Sequence, residues 1–171
     1  MCGIAGNLHW KPALEKDPVE KMCDRMVYRG PDDNGVVKLE NITLGHRRLS
    51  IIDLSQNAKQ PMVSADGRYY IVYNGEVYNF QILRDELKRC GYVFKSNSDT
   101  EVVLYAYAEW GVECLQKFNG MFALAVWDAE HKVLFLARDR FGKKPLYYYI
   151  NDRKELTFAS ELTALISDNT I

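Results

Sequence analysis

The second residue of the chain is a cysteine, in the opening run Met1-Cys2-Gly3-Ile4-Ala5-Gly6. A residue this small favours removal of Met1, which would leave a thiol and a free α-amine on one residue. Their ordinary pKa values, ~8.5 and ~7.7–8.0, both lie near working pH. The amine can then take the proton of its own side chain and activate it as a nucleophile. On local sequence alone, Cys2 reads equally well as a small buried hydrophobe that comes early. Three other groups invite chemistry. Arg47-Arg48 stands in a run of strand formers, and neighbours on a strand point to opposite faces, so one of the two can enter a given site. Asn74-Gly75-Glu76 offers a side-chain amide, an unobstructed backbone N–H and a carboxylate in succession, although Asn-Gly is also a hairpin-turn signal. Asp99 lies in Ser98-Asp99-Thr100-Glu101, which matches a helix capping box.

The elements that must hold these groups follow from pattern. An apolar strand over 3–8 starts directly after Cys2 and would pin the terminus. Asp17-Pro18 opens a helix to residue 26 with Val19, Met22 and Met26 on its buried face. The turn cluster 28–35 ends that helix. Strands over 35–39 and 42–52 follow, joined at Glu40-Asn41. Residues 53–66 are polar and read as a loop, and 68–73 read as a strand running into an Asn74-Gly75 turn. Asn79 caps a helix to residue 89 with Phe80, Leu83, Leu87 and Cys90 in its apolar stripe and Gly91 as its stop. Helices over 102–110 and 112–118 precede strand pairs 121–127 with 133–138 and 146–150 with 156–159. A short helix over 161–166 closes the chain. Strands dominate both ends and no βα unit repeats, so a doubly wound parallel sheet is excluded in favour of two stacked antiparallel sheets covered by helices.

Composition narrows the function classes. The 171 residues fit one domain. With 22 basic and 23 acidic residues the net charge is −1, which argues against nucleic acid or an anionic membrane surface as partner. The densest basic cluster, Arg138, Arg140, Lys143 and Lys144, reads as a solvated turn. There is no apolar run of ~20 residues for a membrane span and no secretory signal pattern. Cys2, Cys23, Cys90 and Cys114 are widely spaced, as expected of reduced cytoplasmic thiols, and His9, His46 and His131 are scattered, so no metal site is expected.

Eight motifs recur in this order in one family: Cys2-Gly3-Ile4-Ala5-Gly6, Arg29-Gly30-Pro31-Asp32, Arg48-Leu49-Ser50-Ile51, Asn74-Gly75-Glu76-Val77-Tyr78-Asn79, Ser98-Asp99-Thr100-Glu101, Asn119-Gly120-Met121-Phe122-Ala123, Arg138-Asp139-Arg140-Phe141-Gly142 and Phe158-Ala159-Ser160-Glu161. They span nearly the whole chain. It resembles the glutaminase domain of class II glutamine amidotransferases, which are N-terminal-nucleophile hydrolases, and most of all the asparagine synthetase branch. The resemblance implies an α+β fold, a four-layer αββα sandwich with two mainly antiparallel sheets. It implies that Cys2 attacks the side-chain amide of L-glutamine and passes through a γ-glutamyl thioester. Asn74 and Gly75 would form the oxyanion hole, and Arg48 would take the α-carboxylate. Glu76 and Asp99 would take the α-ammonium, with the backbone of Leu49, Ser50, Ile51 and Ile52 lining the pocket. Arg29 and Asp32 would support the site.

Two departures qualify the match. The family usually has His where this chain has Tyr28, and the Ser-Gly-Gly-x-Asp-Ser pyrophosphate loop of full synthetases is missing. Residues 1–171 are therefore expected to be a glutaminase domain truncated before an ATP-dependent synthetase domain. ATP and magnesium would belong to that missing domain, and no cofactor to this one. The expected partners are L-glutamine and a synthetase domain or subunit that receives ammonia for aspartate or a sugar carboxylate; a homodimer is also admitted. Two other readings stay open: a silent docking or glutamine-sensing module of the same fold, and a self-processed hydrolase acting on another amide.

Overall fold

The computed structural model describes residues 1–9 and 17–166. Strands β1 (Gly3–Leu8), β2 (Asp33–Lys38), β3 (Ile42–Arg48), β8 (Tyr147–Ile150) and β9 (Leu156–Ala159) form one sheet in the order β2-β3-β1-β9-β8. Strands β4 (Met62–Val63), β5 (Tyr69–Val77), β6 (Gly120–Asp128) and β7 (Val133–Arg138) form the other, in sequence order. The ladders between named strands are antiparallel. Period-two alternation sorts their residues between layers. Ile4, Ile42, Leu44, Val72, Ala123, Ala125, Trp127 and Phe158 meet between the sheets. Ala5 and Ala159 point the other way, onto α1 (Pro18–Arg25) and α5 (Leu162–Leu165) through Val19, Met22, Cys23, Met26, Ala164 and Leu165. Ile71, Tyr73 and Val77 face α2 (Phe80–Arg89), α3 (Asp99–Trp110) and α4 (Cys114–Lys117). The result is the expected four-layer αββα sandwich.

Local chemistry sets the element ends. The Asp17 carboxylate accepts from Val19 N–H at 2.9 Å with Pro18 at the first helical position, so α1 starts where expected. Ser98 caps α3 by accepting from Glu101 N–H, and the helix begins at Asp99 rather than at 102. Its capping box is only half made. Glu101 turns instead to the Lys95 and Ser96 backbone N–H groups and the Ser96 hydroxyl, because the incoming strap needs those donors satisfied. Asn79 precedes α2 without capping it; its amide bridges Asn119 N–H and Lys117 C=O.

Four expectations are corrected by tertiary pairing. Asn74-Gly75-Glu76 is not a turn: β5 runs on to Val77 because β6 pairs with it residue by residue as far as Gly120. Strand β3 stops at Arg48 rather than 52, where the chain is diverted to Cys2. Strand β2 starts at Asp33, earlier than the turn cluster suggests, because it pairs with Arg48 and Arg47. The loop 53–66 contains a 3-10 turn (Gln56–Ala58) and the short β4.

Phe158 has no exposed surface, and its ring covers Gly6 so closely that a Cβ there would lie 2.4 Å from it. Phe158→Ala should cost about 3–5 kcal/mol, read as a lowered urea midpoint with an unchanged slope; a loss below about 1 kcal/mol would mean the inter-sheet core repacks around the void.

Candidate active site

Cys2 sits just before β1 and is clamped by Arg29 and Leu49. Arg29 Nε donates to its carbonyl at 2.9 Å, while the same guanidinium pairs with Glu161, which precedes α5. Leu49 N–H donates to Sγ at 3.4 Å, and the thiol reaches Leu49 C=O at 3.6 Å. The Asp32 carboxylate holds Ser50 N–H at 2.8 Å. Gly30 permits this clamp, since a Cβ there would lie 2.4 Å from the Arg47 carbonyl carbon. Arg29 and Asp32 thus stand where supporting residues were expected. Tyr28 beside them is 69% exposed.

Arg47 and Arg48 diverge as alternation requires. Arg47 bonds Cys23 C=O and Asp24 on α1, whereas Arg48 turns inward and donates to the carbonyls of Ser55, at 3.1 Å, and Asp53. Leu49 to Ile52 then curve around the cavity mouth as irregular chain.

The opposite wall is β5, whose hydrogen-bonding edge alternates. Phe122 directs its backbone at Asp139, donating to the carboxylate at 3.2 Å and accepting from Asp139 N–H at 2.8 Å. Its partner in register, Gly75, must therefore point its N–H away from β6. The same holds for Tyr73 and Val77, and their N–H groups find Gln60 Oε1 at 2.6 Å and Asp99 Oδ2 at 3.2 Å. Gly75 N–H lies between them. A side chain at 75 would meet Met121 C=O at 2.6 Å, so glycine keeps this stretch bare. Asn74 and Glu76 alternate to the other face, toward the first sheet. Asn74 is 2% exposed and its Nδ2 has no hydrogen-bond partner. Buried donors are normally satisfied, so this one marks a place for an acceptor.

Cys2, Arg48, Leu49, Ser50, Ile51, Ile52, Asn74, Gly75, Glu76 and Asp99 all border one cavity of about 230 Å³. That is below the ~300–1,000 Å³ typical of drug-sized ligands and suits a single small metabolite. Every site residue expected from sequence is brought together here. Sequence reasoning missed Gln60, Tyr73, Thr100, Met121 and Lys144, which also line it. Lys144 corrects the solvated-turn reading of its cluster, since it is buried against the cavity. The available signal was Asp139 four residues before Lys143, a carboxylate placed to organise its own turn. The Asp128, Glu130 and His131 grouping lies elsewhere, and Arg68 claims both its carboxylates.

Electrostatics pull two ways. Burial pushes the Cys2 thiol up, opposed by Leu49 N–H, the amino terminus, Arg48 and Lys144, so the sulfur needs a base beside it. Burial also raises Asp99, against the bonds it accepts from Tyr73 O–H, at 2.9 Å, and Val77 N–H. Behind the site His46 is fully buried and donates from Nε2 to Tyr73 C=O at 3.2 Å, tying the sheets together.

The whole chain, residues 1–171, matches the family model described as a glutamine amidotransferase domain. Asparagine synthetase [glutamine-hydrolyzing] 3 of Bacillus subtilis (strain 168) is 42% identical over 171 residues, covering 98% of this chain and 28% of its own. Asparagine synthetase [glutamine-hydrolyzing] 1 of the same organism is 43% identical over 97% of this chain and 27% of its own. The chain thus spans 28% or less of the length of these two relatives. Among solved structures, glutamine phosphoribosylpyrophosphate amidotransferase from B. subtilis, complexed with ADP and GMP, shares the fold with a TM-score of 0.76 at 18% identity, over 97% of this chain and 44% of that one.

Desolvation holds His46 down to about 3, against ~6.5 for an exposed imidazole, so the unfolded chain binds the extra proton. Its neutral burial stabilises fully above pH ~6.5, and that contribution is lost as pH falls toward about 3. His46→Gln should therefore lie furthest below the parent in urea midpoint at pH 7, with the gap narrowing by pH 4.5; a gap independent of pH would contradict the buried neutral imidazole.

Proposed function

The chain belongs to the glutamine amidotransferase domain family, and from that premise we propose that it hydrolyses L-glutamine to glutamate and ammonia at Cys2. The observation that carries the reading is the unpaired Asn74 Nδ2 beside a Gly75 N–H turned away from β6, both residues bordering the same small cavity as a cysteine at position 2. Donors aimed at a developing oxyanion are preorganised, so they need no rearrangement when charge appears.

After removal of Met1, the Cys2 α-amine takes the Sγ proton and sulfur bonds to the side-chain amide carbon. The carbonyl electron pair moves onto oxygen, where Asn74 and Gly75 receive it. Collapse breaks the C–N bond, and ammonia leaves with the proton held by the α-ammonium. Water, deprotonated by the same amine, then cleaves the thioester and regenerates the thiol. Arg48 recognises the substrate α-carboxylate, and Glu76 and Asp99 its α-ammonium. The bonds Arg48 already makes to Asp53 and Ser55, and those Asp99 makes to Tyr73 and Val77, hold both ends rigid. Met1, half-exposed at the cavity rim, converts the essential amine into a peptide nitrogen while it remains.

We further infer that the ammonia serves an ATP-dependent synthetase domain or subunit resembling that of asparagine synthetases, with aspartate or a sugar carboxylate as acceptor. ATP and magnesium act there, and this domain needs no cofactor of its own. A homodimer and a cytoplasmic setting belong to the same reading, the latter in keeping with free thiols at Cys2, Cys23, Cys90 and Cys114. No described helix is long and apolar enough to cross a membrane.

Intact mass should show the chain without Met1, and that species should release glutamate from glutamine. Cys2→Ala should abolish release; activity surviving it would sink the mechanism. Asn74→Ala should lower kcat by about 10²–10³-fold, as loss of one oxyanion donor does, with little change in KM.

A further inference from the structure

Lys144 lies between β7 and β8 in a turn built around one carboxylate. Asp139 accepts the backbone N–H groups of Phe141, Lys143 and Lys144, each at 3.1 Å, and that of Phe122 at 3.2 Å. Gly142 takes a positive φ of 63° to let the chain pass. A turn anchored so heavily holds its next side chain in place. That side chain is 7% exposed and borders the cavity with Cys2, Asn74 and Gly75.

Among the described residues no carboxylate forms a salt bridge with its ammonium, and its charge acts on Cys2. Lysines as buried as this one are normally paired, whereas this one borders the cavity. The cavity's own carboxylates leave it alone: Asp99 is engaged by Tyr73 and Val77, Asp53 by Ser55 N–H and Asn97 N–H, and Glu76 makes no ion pair with it. Arg48, the other cation, already donates to two backbone carbonyls. Lys144 is thus a cation here that no carboxylate claims.

We propose that Lys144 is a further functional residue of this site, its ammonium placed to stabilise the negative charge that Cys2 sulfur carries once its proton has gone. The inference rests on the glutaminase reading for its catalytic consequence but not for the ionisation itself. Around that sulfur stand Leu49 N–H and C=O after β3, Arg48 on β3, the amino terminus, Tyr73 and Glu76 on β5, Asp99 at the start of α3, Asp53 in the loop after β3, and Lys144. The carboxylates oppose ionisation, and the amino terminus, Arg48 and Lys144 favour it, so removing Lys144 shifts the balance against the thiolate. Lysine serves because a compact ammonium on a long stem can meet a single sulfur without fork geometry.

The test is the pH dependence of Cys2 alkylation by iodoacetamide, followed by peptide mass so that exposed Cys90 is counted separately. Lys144→Met should move the inflection upward by about half a pH unit or more, a shift within reach of one nearby charge. It should slow alkylation at neutral pH several-fold and lower kcat for glutamine more than it raises KM. Lys144→Arg should restore most of the profile, and Lys144→Gln, a polar replacement, should repeat the methionine result with the urea midpoint retained. An unchanged profile in both neutral variants overturns the proposal. So does a loss confined to KM, which would make Lys144 a partner of the substrate carboxylate. Alkylation needs no turnover, so a parent protein that releases no glutamate would defeat the glutaminase reading while leaving this shift to be read.

Discussion

The site depends on an edge of β5 that no strand covers beyond residue 71. An antiparallel strand sends alternate N–H groups to opposite sides, and every second one at the end of β5 faces away from β6. Such donors must be paired, wetted or kept for a ligand. Gln60 satisfies Tyr73 and Asp99 satisfies Val77, which isolates Gly75 as the open position. The same two bonds position Gln60 and Asp99 around the cavity. One backbone periodicity thus places a donor, a wall and a carboxylate together.

A cavity of this kind is a stability liability before it is an asset. Asn74 Nδ2 goes unpaired, and burial raises the Cys2 thiol. Each would be better solvated in the unfolded chain. The surrounding structure offsets this with well-satisfied anions: Asp139 with four backbone donors, Glu101 with three donors from the strap before α3, and Glu161 with Arg29. The pattern is rigid polar scaffolding around a few deliberately hungry groups, which electrostatic preorganisation requires.

Much of the fold was legible because its cues are local. The alternation of Ile4 and Ala5, the Asp17-Pro18 start and the Ser98 cap act within a few residues, and the structure follows them. Misreadings came where a distant partner overrules local preference. Asn74-Gly75 carries a strong turn signal, yet β6 lies alongside and β5 continues, because nine consecutive cross-strand pairs outweigh one dipeptide's preference. Residues 49–52 are good strand formers, yet Leu49 leaves the sheet to meet the Cys2 sulfur. Glu101 leaves its capping role because Lys95 and Ser96 need an acceptor more.

By itself the sequence determined which residue types could act together: a cysteine at the chain start, an amide beside a bare glycine, one inward arginine of an adjacent pair, and carboxylates at Glu76 and Asp99. Motif order and family resemblance carry that much because residue chemistry is a local property. Only the tertiary structure decided that these residues share one cavity of about 230 Å³, which Gly75 edge faces it, and that Lys144 belongs to it rather than to a solvated turn. Those outcomes depend on strand register and on which partner satisfies each buried group, and both are set by residues tens of positions away.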